Sequence, residues 1–159
     1  MQRIGLGFDS HRFDPGRPLV LGGVRIEDSP GLAGHSDGDA VLHALTDAIL
    51  GALAAGDIGE HFPDTDPRWA GAEGRVFLTE ALRIARQKRM HVVNCDVTVI
   101  AERPRLSDHK PAMAARIAEL LGVAAERVSV KAKTSEQMGA LGRGEGLAVL
   151  AVVLLSDEA

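Results

Sequence analysis

Between Arg3 and Phe13, Ile4, Leu6 and Phe8 alternate with small or polar neighbours, and that period of two predicts a β-strand. Pro18–Ile26 (PLVLGGVRI) reads as a strand, a Gly-Gly turn and a second strand. Residues 27–37, rich in Ser, Pro and Gly, read as loop. From Asp39 to Ala55 the period changes. Val41, Leu42, Leu45, Ile49, Leu50 and Leu53 recur at helical spacing, with Ser36 or Asp37 placed to cap the start. Residues 56–74 (GDIGEHFPDTDPRWAGAEG) lack periodicity and read as a long loop of the kind that carries lids and binding segments. A second helix covers Arg75–Arg89, with Val76, Leu78, Ala81, Leu82 and Ala85 as its apolar face. A strand follows over His91–Ala101, and a third helix over Pro111–Leu121 on Met113, Ile117, Leu120 and Leu121. Arg127–Lys133 and Leu147–Leu155 read as two more strands, and the last is apolar on both faces, which puts it centrally or under a partner subunit. The order predicts one α/β domain of the α+β type over residues 1–159, a mixed β-sheet with helices on one face.

Composition adds bounds. A chain of 159 residues, 45% hydrophobic and 25% charged, can bury one sizeable core. The net charge of −4 and the absence of a basic run argue against nucleic acid as a partner. Cys95, the one cysteine, sits in the apolar run VVNCDVTVI and reads as a buried strand thiol, as in a reducing compartment. The N-terminal stretch lacks a signal-type apolar core, and Leu147–Leu155 is too short to cross a bilayer, so the expected location is the cytoplasm.

Candidate chemistry concentrates in four places. On a strand, Asp9 and His11 project to one face while Phe8 and Ser10 project to the other, which offers a carboxylate and an imidazole to one metal ion. His43 is the candidate third ligand. Asp39, His43 and Asp47 share one helical ridge, and a carboxylate at either neighbour suits the second nitrogen of a metal-bound imidazole. Two histidines and one carboxylate leave a tetrahedral zinc with an open position, as in catalytic sites. His35 and Ser36, ahead of the helix, suit a phosphate. Lys131–Gly146 (KAKTSEQMGALGRGEG) offers Thr134, Ser135 and Glu136, the last a ligand for a hard cation such as Mg²⁺, and Arg143 and Glu145 as an ion pair in a tight turn. The acidic stretch Asp57–Asp66 can accept from substrate hydroxyls. No Gly-x-x-x-x-Gly-Lys-Ser/Thr motif occurs, which excludes a P-loop NTPase. The residues alone support a zinc-binding α/β domain acting on a phosphorylated ligand.

The motifs HSDGDAVLHALTDA (residues 35–48), GFDSH, GDIGEHFPDTDP and GRGEG, in this order, resemble the 2-C-methyl-D-erythritol 2,4-cyclodiphosphate synthase family over essentially the whole chain. The resemblance implies a homotrimer with active sites between adjacent subunits, and cyclisation of 4-diphosphocytidyl-2-C-methyl-D-erythritol 2-phosphate with loss of CMP. It implies Zn²⁺ on Asp9, His11 and His43, and Mg²⁺ or Mn²⁺ on Glu136. His35 and Thr134 would stabilise the transition state. Substrate contacts would come from Asp9, His11 and Ser36, from Asp57, Ile58 and Gly59, and from Phe62, Pro63, Asp64, Thr65 and Asp66. Ala101, Glu102, Arg103, Pro104, Arg105, Leu106 and Ser107 would hold the cytidine end. Lys133, Ser135, Glu136, Ala140 and Arg143 would complete the contacts. Arg143 and Glu145 match a pair in the family's central cavity, where isoprenoid diphosphates are proposed to bind. Lys133 and Ala140 depart from the family, which more often has Thr and a bulkier apolar residue there. A zinc-dependent phosphohydrolase and a non-catalytic trimeric isoprenoid-diphosphate-binding module are the alternatives.

Overall fold

The computed structural model describes residues 1–157. Strand β1 (Gln2–Leu21) is followed by β2 (Val24–Leu32), α1 (Ala40–Ala52), the one-turn α2 (Ile58–His61), α3 (Gly74–Gln87), β3 (His91–Ile100), α4 (Lys110–Leu121), β4 (Val128–Lys133), the one-turn α5 (Gly139–Gly142) and β5 (Gly146–Ser156). The sheet runs β2-β1-β5-β3-β4, with β3 and β4 parallel and the other neighbours antiparallel. The mixed sheet with helices on one face is as expected, and β5 is its central strand.

Two expected strands are one. β1 pairs with β5 over Gln2–Arg12 and with β2 from Phe13 onward, and its register slips between Asp14 and Leu19. Pro15 and Gly16 look like a break in sequence; in the fold they bend the strand from one partner to the next. Residues 27–32, expected as loop, extend β2 opposite that bend.

The start of α1 is tied down by acids. Asp39, fully buried, is its N-cap: it accepts from Leu42 N (3.0 Å) and from Gly22 N (2.9 Å) and Gly23 N (2.7 Å) of the β1–β2 turn. The sequence expectation of Ser36 or Asp37 as the cap is thereby corrected. Asp37 instead accepts from Gly74 N (2.9 Å) at the start of α3.

Glycine sets how closely α1 lies on the sheet. A Cβ at Gly5 or Gly7 would stand 1.8 Å from the carbonyl oxygen of Ala48 or Ala44, so only bare backbone fits beneath this helix. The opposite sheet face is uncovered: Ile4, Leu6 and Phe8 are 72%, 64% and 56% exposed.

Candidate active site

That close approach brings His43, one turn into α1, over the end of β1. Asp9 and His11 project together toward α1, in register with the buried Val149 and Leu147 of β5. His11 Nε2 lies 2.8 Å and His43 Nδ1 3.0 Å from Asp9 Oδ2. One ligand atom from each of the three falls within 4.8 Å of the others, and around a zinc with bonds of ~2.0 Å such atoms stand roughly 3.3 Å apart, so the set fits a metal.

The outer contacts choose the ligand atoms. His11 Nδ1–H donates to Ala33 O (2.6 Å), which leaves Nε2 for the metal. His43 Nε2 faces Ser36 Oγ at 3.1 Å, which leaves Nδ1. The expected carboxylate neighbours of His43 are corrected here. Asp39 is spent on the α1 cap, and Asp47 accepts from Ile58 N (2.7 Å); a serine hydroxyl takes the second nitrogen instead. Thr46, which reads as an exposed helix residue, is buried and donates to Leu42 O.

Burial pushes the Asp9 carboxyl up, but hydrogen bonds from His11 and His43 outweigh it and hold the group below its ordinary value. The hydrogen bond to Asp9 raises His11 above the usual histidine value against the opposing effect of burial. Burial raises Asp47.

A cavity of about 470 Å³ opens over the trio. His35, Ser36, Ile58, Gly59, Phe62, Pro63, Asp64 and Thr65 line it, all of them expected from sequence. Asp57 and Asp66, expected with them, do not line it: Asp57 caps α2 through Glu60 N, and Asp66 pairs with Arg68 while its carbonyl meets His35 Nε2 at 3.4 Å.

The model of the YgbB family matches residues 2–156. The chain belongs to that family. A 2-C-methyl-D-erythritol 2,4-cyclodiphosphate synthase of Bordetella avium is 56% identical over 157 residues, 99% of this chain and 97% of that protein. The bifunctional IspDF of Campylobacter jejuni superposes with a TM-score of 0.93 at 46% identity, over 98% of this chain and 42% of that one. A 2C-methyl-D-erythritol-2,4-cyclodiphosphate synthase solved in a CDP-bound form gives 0.89 at 42% identity, over 97% and 100% of the two chains.

This YgbB-family chain holds its remaining expected residues elsewhere. Glu102, in the loop after β3, accepts from Ser135 N (2.9 Å) and Gln137 N (3.1 Å), which locks the 101–107 and 133–137 segments together. Thr134 Oγ1 donates to Glu136 Oε1 (3.1 Å) beside them. Arg143 and Glu145 form the expected ion pair at 2.7 Å. None of the residues from Ala101 to Ser107, nor Lys133, Thr134, Ser135, Glu136, Ala140 or Arg143, lines the cavity above the trio.

Sequence reasoning missed Trp69 and Phe77 as cavity residues. Phe77 is buried, its ring 5.6 Å from that of His43 and 4.8 Å from that of Phe62; Trp69 meets Phe62 edge-on at 5.1 Å. Phe77 sits in the apolar helix pattern with nothing to mark it off from core. Cys95 is buried on β3 as expected, its thiol pushed up to about 12 by burial. No described helix is long and apolar enough to cross a membrane.

Proposed function

We propose that this chain converts 4-diphosphocytidyl-2-C-methyl-D-erythritol 2-phosphate to 2-C-methyl-D-erythritol 2,4-cyclodiphosphate, in the cytoplasm, for isoprenoid precursor synthesis. The observation that carries the proposal is the Asp9–His11–His43 trio under a cavity edged by His35 and Ser36, in a chain 56% identical to a protein of that name. In this reading an oxygen of the substrate's 2-phosphate attacks its own β-phosphorus. A new P–O bond closes the ring, the β-phosphorus bond to the bridging oxygen breaks, and CMP leaves with that oxygen. Such a transfer needs positioning and charge neutralisation rather than a protein nucleophile, and the cavity is lined by neither cysteine nor lysine.

Asp9, His11 and His43 would hold Zn²⁺, which supplies Lewis-acid polarisation of phosphate oxygens. His35 holds the attacked phosphate in place. Ser36 Oγ accepts from His43 Nε2–H once Nδ1 is a ligand, which frees its own O–H to donate toward phosphate. Ile58, Gly59 and Phe62 exclude water around the methylerythritol carbon chain.

Thr134 and Glu136 work in the site of a neighbouring subunit of a homotrimer, with Mg²⁺ or Mn²⁺ on Glu136 and the cytidine against residues 101–107. Two features support this. The register Ser10–Ala148–Ile100–Lys133 spans three interstrand steps, roughly 14 Å, between the trio's strand and the edge that bears Thr134. The uncovered face of Ile4, Leu6 and Phe8 is the kind of apolar surface that a second copy buries. Arg143 and Glu145 would then face the trimer's centre, where an isoprenoid diphosphate would bind.

Phosphorus NMR of the product tests the reaction, with metal content measured on wild type and Asp9→Ala. A cyclic diphosphate and CMP from the wild type alone are expected. A linear phosphate product would establish a phosphohydrolase instead.

A further inference from the structure

The loop between β2 and α1 carries His35 and Ser36 into the cavity, and four successive carbonyls of that loop are all tied to donors. Ala33 O takes His11 Nδ1–H at 2.6 Å, Gly34 O takes Arg17 Nη1 at 2.7 Å, and His35 O takes Gly71 N at 2.8 Å. Ser36 O takes Arg17 Nη2. One guanidinium thus spans two carbonyls two residues apart, a task its planar fork suits and a lysine ammonium does not.

In a planar trans peptide the N–H points opposite the carbonyl of the preceding residue. Binding Gly34 O to Arg17 therefore turns the His35 N–H away from Arg17, and binding His35 O to Gly71 turns the Ser36 N–H away from Gly71. Among the described residues neither N–H has a protein acceptor, and both belong to residues that line the cavity. A peptide flipped at Gly34 would instead present a carbonyl oxygen to any anion there, replacing attraction with repulsion.

We infer that Arg17 is a positioning residue. It fixes the Gly34–His35 peptide so that a phosphate oxygen in the cavity meets the His35 N–H, beside the Ser36 N–H that Gly71 orients, and it does so without touching the phosphate. The inference rests on the phosphate-binding reading above. It assigns to Arg17, on the bent stretch of β1, a part that neither the metal trio nor the substrate contacts include.

The experiment compares wild type, Arg17→Lys and Arg17→Ala, each loaded with Zn²⁺. Calorimetry with inorganic pyrophosphate reads anion affinity, and bound zinc and the thermal midpoint are measured alongside. Both variants are expected to keep full zinc and to bind pyrophosphate more weakly by on the order of tenfold, since a hydrogen bond to a charged group is at stake. In turnover the loss should fall mainly on KM. Added methylguanidinium should restore affinity to Arg17→Ala, while added ammonium should not. If Arg17→Ala does not fold, Arg17→Lys, which keeps the charge and the stem, carries the test alone. Pyrophosphate affinity within twofold of wild type in Arg17→Lys overturns the inference, as does loss of zinc in step with loss of affinity. Failure of the cyclisation reading shows separately, as a linear product from the wild type.

Discussion

Gly7→Ala is the sharpest probe of how the metal trio is assembled. The added methyl would lie 1.8 Å from Ala44 O and 2.8 Å from Ala48 N, both backbone atoms of α1 that cannot rotate aside. An ordinary contact begins at 3.4 Å, so the helix must retreat by 3.4 − 1.8 = 1.6 Å or the strand must buckle. His43 precedes Ala44 and moves with it. Its Nδ1 now stands 3.0 Å from Asp9 Oδ2, and a shift of that size along the same line would open the gap to about 4.6 Å, against the roughly 3.3 Å that zinc ligands keep. Overpacking of this kind costs about 1–3 kcal/mol or more, a drop of several degrees in Tm for a domain this size. Misplacing a direct ligand should lower zinc affinity at least as much as an outer-shell change does, by about 100-fold. The control is Gly51→Ala on the same helix: its methyl would meet only Leu6 O, at 3.9 Å, and should stabilise by about 0.5–1 kcal/mol through helix propensity. Zinc retained after dialysis against a chelator, with circular-dichroism melts, reads both variants. A Gly7→Ala protein with wild-type zinc and Tm would refute the idea that glycine sets the helix height and, through it, the site.

Other outcomes follow from the same geometry. Zinc affinity should fall as pH drops, by about tenfold per pH unit once below the His11 pKa, because a ligand must shed its proton; with that pKa raised above 6.5, the decline begins above the ordinary histidine range, and competition with a chelating dye across about pH 5.5 to 8 reads it. Without metal the sign is opposite: the His11–Asp9 bond stabilises fully below 6.5 and is lost as pH rises through the raised value. Burial, with the charge of Asp37 beside it, lifts Asp39 to about 6 from 3.8, so between those values its folded form keeps a proton that the unfolded chain has lost; stability should fall as pH rises through that window, and Asp39→Asn should flatten the slope in urea titrations. If the proposed trimer packs through the uncovered face, Leu6→Glu or Phe8→Asp should convert a trimeric mass to a folded monomer by light scattering, and a trimeric mass unchanged by either would exclude that face as the interface.

Legibility from sequence followed the range of the forces involved. The period-two alternation of Ile4, Leu6 and Phe8 located β1 and its two faces, and with them the Asp9–His11 pairing, because strand geometry alone puts i and i+2 together. Helical spacing located α1, so His43 was within reach of being chosen. What local pattern cannot carry is partnership. Asp39 and Asp47 sit at i−4 and i+4 from His43 and look like its supports, yet backbone amides from the β1–β2 turn and from Ile58 claim them. Nothing near Ser36 marks it as the partner of His43; that contact exists because the loop folds back over the helix start. Pro15 and Gly16 read as an end to β1 because breaker chemistry is local, whereas the two partners that keep the strand going, β5 and β2, are distant in sequence. The residues alone singled out Thr134, Ser135 and Glu136, and the family resemblance supplied Lys133 and the residues from Ala101 to Ser107; no periodicity would have joined the two segments, and Glu102 is the physical link between them.

The cavity's charge explains why so much of the loop is devoted to backbone orientation. Asp9, Asp47 and Asp64 line it, along with three histidines, and no lysine or arginine does. A substrate bearing several phosphate charges would be repelled by that set in a medium where charges at contact interact strongly. Under the proposed reaction, attraction would come from a divalent cation held by the trio, from the histidines, and from amide dipoles that cost no reorganisation when the anion arrives. Arg17 of β1 is turned onto carbonyls of the loop instead of into the cavity. Spent on the loop, the same charge fixes donors for the phosphate and leaves the space over Asp9, His11 and His43 to the reacting groups.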